Sequence, residues 1–134
     1  MVMLEIDSKN LRELWAHAKE ESPNECCGIL GVKDNKVTKI YRMENITKSP
    51  YRYSMDPLQH HKVLIDLDEK GWDQAIYHSH THSPAYPSAT DVRLAEPWTD
   101  TLFVLISLMD GSNPVVRAFF IENARIIEED VITE

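Results

Sequence analysis

Residues 101–108 read T-L-F-V-L-I-S-L, a run of β-branched, aliphatic and aromatic side chains broken only by one serine. A strand of this composition has no solvated face, so it belongs inside a sheet that is covered on both sides. Two covering layers call for helices, and the sequence offers them. Asp7 or Ser8 caps a helix running to about Glu21, with Leu11, Leu14, Trp15 and Ala18 at helical spacing, and Ser22-Pro23 stops it. Asp56-Pro57 opens a second helix that carries Leu58, Val63, Leu64 and Leu67 and ends at Gly71. A third, short helix spans 88–95, ahead of Pro97.

Further strands are expected at 2–6, 27–32, 36–43, 74–80, 115–121 and 125–132. Asp34-Asn35 and Asp110-Gly111 are turns, 45–50 is loop, and 51–54 is a short extended piece. This mixed order predicts an α/β (α+β) fold: one mixed sheet sandwiched by helices. With 134 residues the chain supplies one such core, so residues 1–134 are read as a single domain.

Charge and cysteine usage narrow the function classes. The net charge is −8, and the 14 Lys and Arg form no basic stripe, which argues against nucleic acid as a partner. The longest apolar run is too short to cross a bilayer, and Glu5 and Asp7 stand where a signal peptide has a basic start and an apolar core. A cytoplasmic protein without membrane contact is expected. Cys26 and Cys27 are neighbours whose side chains point to opposite faces of an extended segment, so they are read as packing residues in a reducing compartment.

The chemistry concentrates in 77–91, Y-H-S-H-T-H-S-P-A-Y-P-S-A-T-D. His78 and His80 lie two apart on a strand and so share one face, where both imidazoles can reach one point. Asp91, in the first turn of the third helix, can aim a carboxylate back at the strand end. Two His and one Asp make a zinc site with its fourth position open, as a catalytic zinc requires. Ser88 reads two ways: as the N-cap of that helix, with Asp91 completing a capping box, and as a hydroxyl donor to an oxyanion. Glu25 enters the buried run Cys26-Cys27-Gly28-Ile29-Leu30, where a carboxylate that served packing alone would be costly, and it is the candidate general base. His60, His61 and His82 are read as surface or loop residues. Tyr86, in the loop beside the ligands, is read as either a wall of the pocket or a packing anchor.

Glu25 followed by His78-Ser79-His80, seven residues, Ser88 and Asp91 resembles the JAMM (MPN-plus) metalloprotease family, whose signature is an upstream Glu and H-x-H-x7-S-x-x-D. The resemblance implies a mixed sheet that is partly rolled, of the JAMM and cytidine-deaminase-like kind. It implies zinc on His78, His80 and Asp91, Glu25 as general acid/base, and Ser88 at the oxyanion. Members that remove ubiquitin have Pro after the second ligand His, whereas this chain has Thr81. The loop therefore looks like a bacterial branch that releases cysteine from the C-terminus of a ubiquitin-like sulfur-carrier protein. The expected partner is that carrier's tail, laid along an exposed sheet edge. An isopeptidase acting on lysine-linked modifiers and a non-catalytic scaffold are the alternatives, and a homodimer is left open.

Overall fold

The computed structural model describes residues 3–133. In chain order the elements are β1 (Met3–Ile6), α1 (Ser8–Glu21), β2 (Cys27–Lys33), β3 (Lys36–Met43), α2 (Pro57–Lys70), β4 (Asp73–His80), α3 (Ala89–Leu94), β5 (Leu102–Ser107), β6 (Val115–Glu122) and β7 (Arg125–Thr133). The elements follow the expected order, and Val2, read as the start of the first strand, lies outside the described residues. Residues 51–54 join no ladder; Asn45 and a bond from the Ile46 N–H to the Ser54 carbonyl (3.0 Å) hold them instead.

β5 is buried along its whole length, as its composition requires. It pairs in parallel with β4 and antiparallel with β6, so the sheet is mixed. The full order is β1-β3-β2-β4-β5-β6-β7, and β1 closes the roll by pairing in parallel with both β7 and β3. Asp34 and Asn35 (φ 51° and 66°) make the tight turn between β2 and β3, and Asn123 and Ala124 (φ 50° and 62°) make the one between β6 and β7. Positive φ at both turn positions matches the twist of the flanking strands.

The closed sheet has two apolar faces. Leu4, Ile6, Leu30, Val37, Tyr77, Leu102, Val104, Ile106 and Ala118 come from six strands into one cluster with Leu14 and Ala18 of α1. A cluster fed by six strands of a closed sheet fills its inside. On the opposite face Ile76, Phe103, Leu105 and Phe119 pack with Ala85 and Ala95, while Cys27, Ile29 and Met43 pack with Leu67 of α2. Each fully buried Leu, Ile or Phe contributes roughly 1.5–3 kcal/mol, so both layers matter. Cys26 falls in the inner cluster and Cys27 in an outer one, each a free thiol, as alternation along an extended chain demands.

Closure narrows the expected exposed edge for the partner to β3. β1 seals β7 over four residue pairs, and it touches β3 at Glu5↔Lys36 alone. The remaining flank of β3 meets α1, where Arg42 is bonded to Glu13 and Glu20. Beyond Lys36, β3 pairs on one side only, with β2.

Candidate metal centre

β4 lies between antiparallel β2 and parallel β5. A chain leaving a strand with a parallel successor must cross over, and that crossover builds a crevice at the carboxyl end of the strand. Here it consists of residues 81–88 and α3, which fold back over His78 and His80. Ser107 pins it by donating to the Ser83 carbonyl (2.6 Å). His78 lies opposite Cys27 in the β2 register, and the pairing continues with the Ser79 N–H to the Cys26 carbonyl (3.1 Å) and the Cys26 N–H to Ser79 Oγ (2.8 Å). Continuing that register one step sets Glu25 opposite His80.

The ligand atoms offered by His78, His80 and Asp91 lie within 4.8 Å of one another. His80 Nε2 is 2.9 Å from Asp91 Oδ2 and 3.3 Å from His78 Nε2, and His78 Nε2 is 3.2 Å from Asp91 Oδ1. All three residues are buried. Asp91 is held by a reciprocal capping box: the Ser88 N–H donates to Asp91 Oδ2 (2.9 Å) and the Asp91 N–H donates to Ser88 Oγ (3.1 Å). Ser88 itself sits at the exposed rim.

His80 Nδ1 lies 2.8 Å from the Pro84 carbonyl, an acceptor only, so this nitrogen carries the proton. In a neutral ring Nε2 then turns a bare lone pair toward Asp91 and His78. Acceptors facing acceptors in a buried pocket require a positive centre among them, either a second ring proton or a metal ion. Without an ion, burial disfavours the charged form of His80, but Asp91 and then the Pro84 carbonyl outweigh it and raise the pKa. Burial likewise opposes the Asp91 carboxylate, yet the two imidazoles hold it ionised well below the usual carboxylate range. Asp91 Oδ1, His78 Nδ1 and Glu25 Oε1 are buried with no hydrogen-bond partner. Two imidazoles and an ionised carboxylate on one point are donors that fit a divalent metal ion.

Glu25 is 3% exposed, and burial first, then Asp91, against an opposing His80, push its carboxyl up to about 8. Burial raises both Cys26 and Cys27 to about 12, which keeps them as packing thiols. Tyr86 packs edge-on against Phe119 (5.5 Å) beneath Arg117 and stays half exposed. His61 and His82 are exposed, whereas His60 is half-buried, stacked on Trp98 and 2.6 Å from Gln74 Oε1. The sequence reading missed Tyr53, whose ring stacks on His78 at 4.6 Å, and the Pro84 carbonyl. No periodicity links position 53 to 78, and a backbone carbonyl leaves no mark in a sequence.

The family described as prokaryotic homologs of the JAB domain matches residues 7–122, most of the chain. The chain belongs to this family. Among relatives of this JAB-domain chain, the "CysO-cysteine peptidase" of Mycobacterium bovis is 36% identical, over 96% of this chain and 90% of the relative. A "Probable TtuB-protein conjugate cleaving protease" of Thermus thermophilus is 37% identical over 63% of this chain and 58% of its own length. The solution structure of protein DSY2949 from Desulfitobacterium hafniense superposes with a TM-score of 0.85 at 34% identity, covering 98% of this chain and 93% of that one. The JAMM resemblance read from H-x-H-x7-S-x-x-D is thus matched along nearly the whole JAB-domain chain. Among the described residues no helix is long and apolar enough to cross a membrane.

Proposed function

We propose that this chain is a zinc peptidase that cleaves after the C-terminal glycine of a ubiquitin-like sulfur-carrier protein and releases cysteine. The observation that carries the reading is the convergence of His78, His80 and Asp91 on one buried point, with the Glu25 carboxyl buried across the β2–β4 register. The name of the mycobacterial relative supports the choice of substrate.

His78, His80 and Asp91 would hold the ion, with the capping box fixing the angle of the carboxylate. When bound, zinc supplies Lewis-acid activation of water and of the scissile carbonyl. Glu25 takes the proton that water gives up and delivers it to the amide nitrogen of the departing cysteine as the C–N bond breaks. Its buried setting suits that work, because burial brings the proton affinity of the carboxyl up toward the working pH, where a group can both take and give a proton. The Ser88 oxygen is engaged as an acceptor from Asp91, which leaves its O–H free to donate to the developing oxyanion. The reading takes residues 1–134 as one domain working in the cytoplasm, where the two thiols stay reduced.

The Thermus relative favours a second reading, cleavage of a carrier from a protein conjugate. The test is to offer the purified protein a carrier ending Gly-Gly-Cys and the same carrier joined through Gly-Gly to a lysine, following products by mass and metal by elemental analysis. Faster cleavage of the cysteine tail, lost with the metal in His78→Ala and Asp91→Ala, is expected. Preference for the lysine conjugate establishes the second reading, and a parent protein that binds no zinc overturns both.

A further inference from the structure

His78 and His80 are supported differently. His80 has the arrangement common to ligand imidazoles, its second nitrogen bonded to a fixed carbonyl. His78 Nδ1 is buried with no partner, so the ring is bonded only through Nε2, on the side of His80 and Asp91. Its face is covered by Tyr53, stacked at 4.6 Å and 27°. Tyr53 lies in an irregular segment, which by itself could not hold a ring in register.

The buried Asn45 makes the largest share of that segment's bonds, beside the Ile46 N–H to the Ser54 carbonyl (3.0 Å) and the Thr47–Ser54 hydroxyl pair (2.5 Å). Its Nδ2 donates to the Arg52 carbonyl (3.1 Å), and its Oδ1 accepts from the Ser54 N–H (3.2 Å), so the groups on either side of Tyr53 are tied to one amide. The same Nδ2 donates to the Glu25 carbonyl (3.0 Å), and Oδ1 also accepts from the Thr47 N–H (3.1 Å). Both donors and both acceptor sites of the amide are therefore used. Glu25 is bound a second time, its N–H to the Ser49 carbonyl (2.9 Å) of the same loop.

We propose that Asn45 is a positioning residue that sets two groups of the site at once: the His78 ring, through Tyr53, and the Glu25 backbone, directly. This rests on His78 as a metal ligand and Glu25 as the proton carrier. Loss of Asn45 then loosens a ligand and displaces a base, though the amide touches neither metal nor substrate.

The test uses cobalt(II) as the probe ion with the full chain, reading affinity, the visible absorption of the bound ion, and kcat separately from KM. Asn45→Ala is expected to weaken cobalt binding by about 10- to 100-fold, the usual cost of an outer-shell partner. It also shifts the cobalt spectrum and lowers kcat with KM little changed. Thr38→Ala, which removes a side-chain bond to the Gly31 carbonyl away from the site, controls for stability: it lowers the melting temperature and leaves affinity and spectrum alone. Tyr53→Leu reproduces the affinity loss, Tyr53→Phe restores it by keeping the ring, and Asn45→Ala with Tyr53→Leu binds no more weakly than the weaker single variant.

Parent-like affinity and spectrum in folded Asn45→Ala overturn the proposal, as does an equal loss in Thr38→Ala. Should Asn45→Ala fail to fold, Tyr53→Leu decides, and parent-like cobalt binding by that variant overturns it too. If the parent itself binds no cobalt and no zinc, the metal-site reading has failed before Asn45 comes into question.

Discussion

His17 and His80 are both buried imidazoles, on opposite faces of β4, and they meet opposite chemistry. His17, from α1, places Nδ1 2.8 Å from the hydroxyl of Tyr77, a group that can donate or accept. Burial then lowers its pKa, which favours the neutral ring beside Tyr77. His80 faces a carboxylate, a second imidazole and a carbonyl, and its pKa rises. Gly28 gives the inner face its shape, because a Cβ there would lie 2.3 Å from the Tyr77 ring. Burial of a histidine therefore says little about its role; what its nitrogens face decides it.

Breaking the outer constellation has the largest expected effect. Asp91→Ala should lose metal by more than the roughly 10- to 100-fold that an outer-shell change costs, and cleavage with it, as elemental analysis and product mass would show. His17→Phe is the matched change on the inner face and should leave metal content intact. Metal loss there would mean the two faces are not independent. Glu25→Gln separates chemistry from binding: the ion stays, and kcat falls by about 10²- to 10⁴-fold.

Removing the ion sharpens the contrast in stability. With free metal at about a thousand times its Kd, the bound form gains about 4 kcal/mol, so a chelator should lower the melting temperature of parent and His17→Phe by similar free energies. On the inner face, Tyr77→Phe should cost about 1 kcal/mol in denaturant titration, with metal content unchanged.

The smallest effect is the acid response of His17. Its folded pKa lies below the unfolded value of about 6.5, so at lower pH the unfolded chain binds the extra proton. Stability from this residue is complete above that value and is lost as pH falls toward the folded pKa. His17→Gln should flatten that part of the stability curve, read by thermal melts across the range.

Much of this was legible in the chain. Asp7 and Asp56 cap their helices, Asp34-Asn35 turns, and β5 is buried from end to end, because caps, turns and burial are written in neighbouring residues. His78 and His80 share a face because they are two apart on a strand, and Ser88 and Asp91 form their capping box because they are three apart at a helix start.

Tertiary structure decided the rest. His17 is buried on α1 beside Leu14 and Ala18, although the face read from the sequence was Leu11, Leu14, Trp15 and Ala18, of which Trp15 is only half-buried. Sheet closure confined the free edge to β3, and the β2–β4 register, which no local pattern specifies, brought Glu25 opposite His80. Asn45, Tyr53 and the Pro84 carbonyl reached the site through an irregular loop and a backbone oxygen. Periodicity reports only which side of its own element a residue faces; what it faces across the fold depends on which strands pair and where the chain crosses over.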